Sequence, residues 1–171
     1  MDEYRAQIDA AVDRTVDYLG SAEALNSVDR DPYWPKWDSP WWRMTLLWEM
    51  GMAARVPAAI VQRIVAALNN HYLHHFPTKA EHIPPGKDPH RDFLCHCGLG
   101  TMFQVLSGCG VDMDRECQWA REWLMKYQLP DGGLNCDEAA YAKVPPKSSM
   151  LSTLPPLEAI LYYTNRPYTP A

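Results

Sequence analysis

The chain has 171 residues, 47% hydrophobic and 22% charged, the composition of an ordinary globular protein and not of a disordered one. A net charge of −5, with no basic run interleaved with aromatics, argues against a nucleic-acid role. No apolar run reaches the roughly 18 residues of a membrane span, and the polar start MDEYRAQIDA does not read as a signal or transit peptide. Five cysteines, an odd number, read as reduced thiols and make the cytoplasm the expected compartment.

In chain order, residues 3–19 carry Ile8, Ala11, Val12, Thr15, Val16 and Leu19 on one side and Asp9, Asp13, Arg14 and Asp17 on the other, an amphipathic helix ended by Gly20. The stretch SAEALNSVDRDPYWPKWDSP is rich in Pro, Asp and Trp and is expected to be irregular, with a helix beginning at Ser39-Pro40. Residues 41–54, WWRMTLLWEMGMAA, are apolar on nearly all sides, as a buried helix would be. After Pro57 a stripe of Ile60, Val61, Ile64, Val65, Leu68 and Tyr72 predicts a second amphipathic helix, running out near His75. His71, His74 and His75 at its end suit the helix dipole.

Residues 94–107 form a second all-round apolar helix, and 113–127 another amphipathic one, on which Trp119, Trp123 and Tyr127 share a stripe. The turn Pro130-Asp131-Gly132-Gly133 stops it. A third apolar segment, 150–163, contains Pro155 and Pro156 and is expected to be kinked or to begin at the prolines. Sustained period-2 alternation is absent, so the fold class is all-α. Outer and inner helices alternate, and the inner ones recur about every 54 residues, the mark of a helical-hairpin array. The final TNRPYTPA reads as the start of another outer helix. Three hairpins in a single domain over 1–171 leave both faces of the array uncapped. That implies a homodimer, a completing helical domain, or a part of a longer protein.

The alternation, together with Gln128-Leu129-Pro130-Asp131-Gly132-Gly133, resembles the α/α-toroid superfamily of terpene cyclases and protein prenyltransferase β subunits, over roughly residues 37–163. The resemblance implies half of an (α/α)6 toroid and an apolar, isoprenoid-like substrate. Leu134 stands where the motif has an aromatic, no Asp-x-Asp-Asp stretch is present, and Phe93 falls where prenyltransferases have a zinc-ligating His.

Candidate chemistry lies in four groups. Cys95, His96, Cys97 and Cys136 offer the sulfur and imidazole donors that suit zinc. Residues i and i+2 of a helix point about 200° apart, so Cys95 and Cys97 share an ion only if the helix has not yet begun; otherwise they are small core residues. Asp137 and Glu138 follow the Gly-Gly turn and are candidates for general acid chemistry or for helix capping, while Asp131 orders the turn. Trp37, Trp41 and Trp42 either line an apolar substrate pocket or pack an irregular loop. Lys147, at the start of the last inner helix, is a further substrate-binding candidate. Two functions follow: an enzyme of the terpene-cyclase or prenyltransferase type binding a hydrophobic small molecule, or a non-catalytic helical-repeat module that carries an apolar ligand or docks a protein.

Overall fold

The computed structural model describes residues 2–70 and 72–163, and among them every regular element is helical. The helices are α1 (Asp2–Leu19), α2 (Ala22–Arg30), α3 (Pro40–Glu49), α4 (Ala58–Asn70), α5 (His96–Gly108), α6 (Met113–Glu116), α7 (Trp119–Lys126), α8 (Glu138–Tyr141) and α9 (Met150–Tyr163). The all-α expectation therefore holds. The expected outer helix at TNRPYTPA and the role given to His71 lie outside the described residues.

The chain forms two compact units: residues 1–71 with 108–111, and residues 72–107 with 112–171. In the first, α2 packs on α4 and α1 on α3. Helix α2 occupies part of the stretch expected to be irregular. Ser21 caps it by accepting the Ala24 N–H at 3.2 Å, and Ala24 and Val28, one turn apart, are buried. Irregular chain begins only at Asp31, whose Oδ1 accepts the N–H groups of Tyr33 and Trp34.

Pro40 opens α3 as the sequence predicts. The helix is shorter than the expected 41–54, because Gly51 takes φ +71 just beyond it. It is also less enclosed: Trp41, Met44 and Leu47 are buried, but Leu46 is exposed. In α4, Ile60, Val61, Ile64 and Leu68 are buried as the periodicity requires.

In the second unit α5 is the central element, with His96, Gly98, Leu99, Gly100, Met102, Phe103, Gln104, Val105 and Leu106 all buried. It is the all-round apolar inner helix that the sequence predicts. α9 crosses it at Gly100, where an added Cβ would lie 2.3 Å from the Pro156 nitrogen. Gln104 Nε2 donates to the Pro155 carbonyl at 3.0 Å, so the crossing is also held by a polar bond. Both prolines lie inside α9, which starts before them at Met150. α9 is not enclosed as the other inner segments suggested: Met150, Leu154, Leu157 and Leu161 are exposed and share one face.

Candidate functional site: three thiols at the start of α5

The site lies in the second unit and draws on two chain segments. The first is Cys95-His96-Cys97. Leu99 N–H donates to the Cys95 carbonyl at 2.9 Å, so Cys95 is the residue before the first helical turn and Cys97 is already inside it. Because the helix has not begun at Cys95, the two side chains are free of the 200° divergence, and their sulfurs are 3.3 Å apart.

The second segment is delivered by the Gln-Leu-Pro-Asp-Gly-Gly turn. Gly132 adopts φ +89, Leu129 N–H donates to the Gly133 carbonyl at 2.8 Å, and Gln128 Nε2 donates to the Gly132 carbonyl at 2.8 Å. A Cβ at Gly133 would sit 2.5 Å from Ser148 Cβ, so the turn meets the start of α9 only as glycine. Four bonds then fasten the chain onto that start. Ser148 N–H donates to Asp131 Oδ2 (2.9 Å) and Leu134 N–H to Thr153 Oγ1 (3.0 Å). Ser149 N–H donates to the Leu134 carbonyl (2.8 Å) and Cys136 N–H to Ser152 Oγ (2.9 Å). Cys136 is thereby set opposite the α5 N-terminus.

The sulfurs of Cys95, Cys97 and Cys136 all lie within 4.8 Å of one another. Each side chain is half-buried. Backbone N–H groups that α5 leaves without helical partners are aimed at them: Gly98 N–H at Cys95 Sγ (3.3 Å) and Cys97 N–H at Cys136 Sγ (3.4 Å). The Cys136 thiol is held well below its usual range, first by hydrogen bonds from Cys95 and then Cys97, with Ser152 and the Cys97 N–H adding. Cys95 and Cys97 are pushed up, chiefly because each gives its hydrogen bond to Cys136. The two neighbouring thiols and the α5 N–H groups thus favour the thiolate form at Cys136 over the other two sulfurs.

His96 stands apart from the sulfurs. It is fully buried, its Nδ1 accepts the Trp123 indole N–H at 2.8 Å, and its Nε2 lies 3.0 Å from Tyr141 Oη. With both nitrogens engaged inside the core, its ring is not among the clustered donors, and burial lowers its pKa to about 4. The indole N–H can only donate, so Nδ1 is the acceptor and the neutral ring carries its proton on Nε2.

The other sequence-selected residues are placed as follows. Asp137 is exposed and caps α8, accepting the Ala139 N–H at 3.0 Å, and Glu138 is the first residue of that helix. Asp131 orders the turn, as expected, through Gly133 and Ser148. Lys147 is exposed, and its carbonyl accepts from Asn135 Nδ2 at 2.9 Å. In the first unit Trp41 is fully buried, 5.5 Å from Tyr33 between ring centroids. Its Nε1 has no hydrogen-bond partner among the described residues. Trp42 is half-buried and 4.4 Å from Trp37, which is 73% exposed at φ +70. His74 stacks on Trp119 at 4.3 Å.

Sequence reasoning missed Ser152, Tyr141 and Trp123 as supports of the thiol group. Spacing carries no signal for them, since Ser152 meets Cys136 across 16 residues and Trp123 meets His96 across 27. No described helix is long and apolar enough to cross a membrane. No family model, curated protein or solved structure matches the chain.

Proposed function

We propose that this is a zinc-binding helical protein whose metal ligands are Cys95, Cys97 and Cys136. The observation that carries this reading is the convergence of three sulfurs within 4.8 Å, from two segments 39 residues apart. A tetrahedral zinc with Zn–S bonds of about 2.3 Å needs sulfurs about 3.8 Å apart, so small side-chain rotations suffice. Thiolates select zinc over hard cations such as magnesium or calcium. Among the described residues no fourth His, Cys, Asp or Glu joins the group, and each of the three thiols is half-buried. When bound, zinc on three thiolates supplies a Lewis-acidic position open to one exogenous ligand. The protein's own contribution is to favour the thiolate form at Cys136 and to aim the Cys97 and Gly98 N–H groups of α5 at the sulfurs of Cys136 and Cys95.

The test is metal content. Purified protein loaded with zinc and desalted should retain about one zinc per chain, and Cys136→Ser should retain far less. Wild-type protein that keeps no zinc, cuprous or ferrous ion under reducing conditions overturns the reading. Retention of iron or copper in place of zinc overturns the choice of metal.

A second reading keeps the apolar, isoprenoid-like ligand suggested by the toroid resemblance. The exposed stripe Met150, Leu154, Leu157 and Leu161 on α9 favours it, because α9 also carries Ser152 beneath Cys136. Binding of a fluorescent isoprenoid that Leu157→Glu does not weaken would sink this second reading.

A further inference from the structure

The zinc reading requires two segments joined only by the 38 residues of chain between Cys97 and Cys136 to keep their sulfurs in register, and one hydroxyl is hydrogen-bonded to both. Tyr141 Oη lies 3.0 Å from Nε2 of His96, the residue between Cys95 and Cys97 in the chain, and 3.4 Å from the backbone N of Asn135, the neighbour of Cys136. It also donates to the Tyr127 carbonyl at 2.8 Å. The hydroxyl has a single proton, so that donation fixes the other two bonds: Oη accepts from His96 Nε2–H and from Asn135 N–H.

Each neighbour is itself anchored. His96 cannot swing, because Trp123 Nε1 donates to its other nitrogen at 2.8 Å. Phe76, Tyr127 and Tyr141 pack their rings around the imidazole, with centroids 4.4, 5.6 and 6.2 Å away. Tyr127 is held in turn, its hydroxyl accepting the Phe76 N–H at 2.7 Å. The chain Trp123–His96–Tyr141–Tyr127 is therefore a rigid polar spine within an aromatic shell, and Oη of Tyr141 is where both ligand segments are fastened to it.

We propose that Tyr141 is the positioning residue of the thiol site: its hydroxyl sets the separation between Cys95/Cys97 and Cys136 without touching the metal. This rests on the zinc reading above. A phenylalanine at 141 keeps the aromatic shell and deletes only Oη. The Asn135 N–H and the His96 Nε2–H then lose their shared acceptor, and the Cys136 segment can shift relative to α5. The loss belongs in metal affinity and in metal geometry more than in the fold.

The experiment is titration of reduced wild type and Tyr141→Phe with cobalt(II), followed by zinc competition against a chromophoric chelator. Cobalt reports thiolate number through its ultraviolet charge-transfer band and tetrahedral geometry through its visible bands. Wild type should show both. Tyr141→Phe should bind about 10–100-fold more weakly, the cost of removing an outer support of a metal site, with displaced visible bands. Equal affinity and an identical spectrum would overturn the positioning role while leaving the zinc reading intact. Absence of cobalt and zinc binding in wild type would overturn both. If Tyr141→Phe fails to fold, His96→Gln decides the matter, since it breaks the same tie from the α5 side. Weaker binding with displaced bands supports the proposal, and wild-type affinity with unchanged bands overturns it.

Discussion

The Asp131 carboxylate accepts the backbone N–H of Ser148 at 2.9 Å, joining the Gly-Gly turn to the chain just before α9, 17 residues on. Its other oxygen accepts the Gly133 N–H at 3.3 Å. These bonds, that of Ser148 first, hold the carboxyl below its ordinary value of 3.8. A depressed folded-state value means that the contribution is fully present above the unfolded value and is lost as pH falls through the folded one. Asp131→Asn should lower the melting temperature at neutral pH, and the difference from wild type should vanish in strong acid. Melting curves across the acid range check this; a difference that persists unchanged at the lowest pH refutes it.

Gly100→Ala sets two effects against each other. Alanine in a helix interior gains about 1 kcal/mol over glycine from backbone entropy. Here its Cβ would fall 2.3 Å from Pro156 N and 2.5 Å from Pro155 C, both backbone atoms that cannot step aside. Overpacking of this kind costs about 1–3 kcal/mol or more, so the clash should win and α9 should be displaced from α5. Urea unfolding measures the outcome, and a stabilised variant would show the crossing to be looser than described.

Trp123→Phe removes the indole donor to His96 Nδ1 and leaves a fully buried acceptor without its partner. Lost volume and the unpaired nitrogen together should cost about 2–4 kcal/mol. A loss under about 1 kcal/mol in denaturant unfolding would mean that the bond does not hold the imidazole.

Zinc that binds the folded state alone should raise the melting temperature of the reduced protein. The rise should disappear in Cys95→Ser and Cys136→Ser and survive in Cys109→Ser, whose half-buried thiol lies outside the cluster. Calorimetry with and without zinc decides it, and an equal rise in all three variants would place the metal elsewhere.

Helix positions were legible where one periodic stripe was long enough to dominate its window, as in α1 and α4, or where a long run was apolar on every side, as in α5. α2 was missed because its nine residues bury only Ala24 and Val28, a stripe too short to stand out against the Pro, Asp and Trp that follow. α9 looked like an inner helix by composition, yet Leu154, Leu157 and Leu161 meet solvent. Hydrophobicity shows what a helix can bury and is silent on whether a neighbour is there to bury it. Pro155 and Pro156 do not mark the start of α9 but lie inside it: the sequence carries their missing donors, not the packing on Gly100 and the bond from Gln104 that accompany them.

The sequence by itself determined the all-α class, the inner character of α5, the glycine turn after α7, and the presence of thiols at 95, 97 and 136, which it left open between zinc ligation and core packing. Each of these follows from local chemistry: residue period, backbone freedom and donor type. Only the tertiary structure decided that α5 begins one residue after Cys95, so that two cysteines two apart can point together. It also decided that Ser152 and Tyr141 bring Cys136 to meet them, and that His96 turns inward to Trp123 and leaves the donor set. Those outcomes depend on contacts across tens of residues, where chain spacing sets no distance and packing sets it to within an ångström.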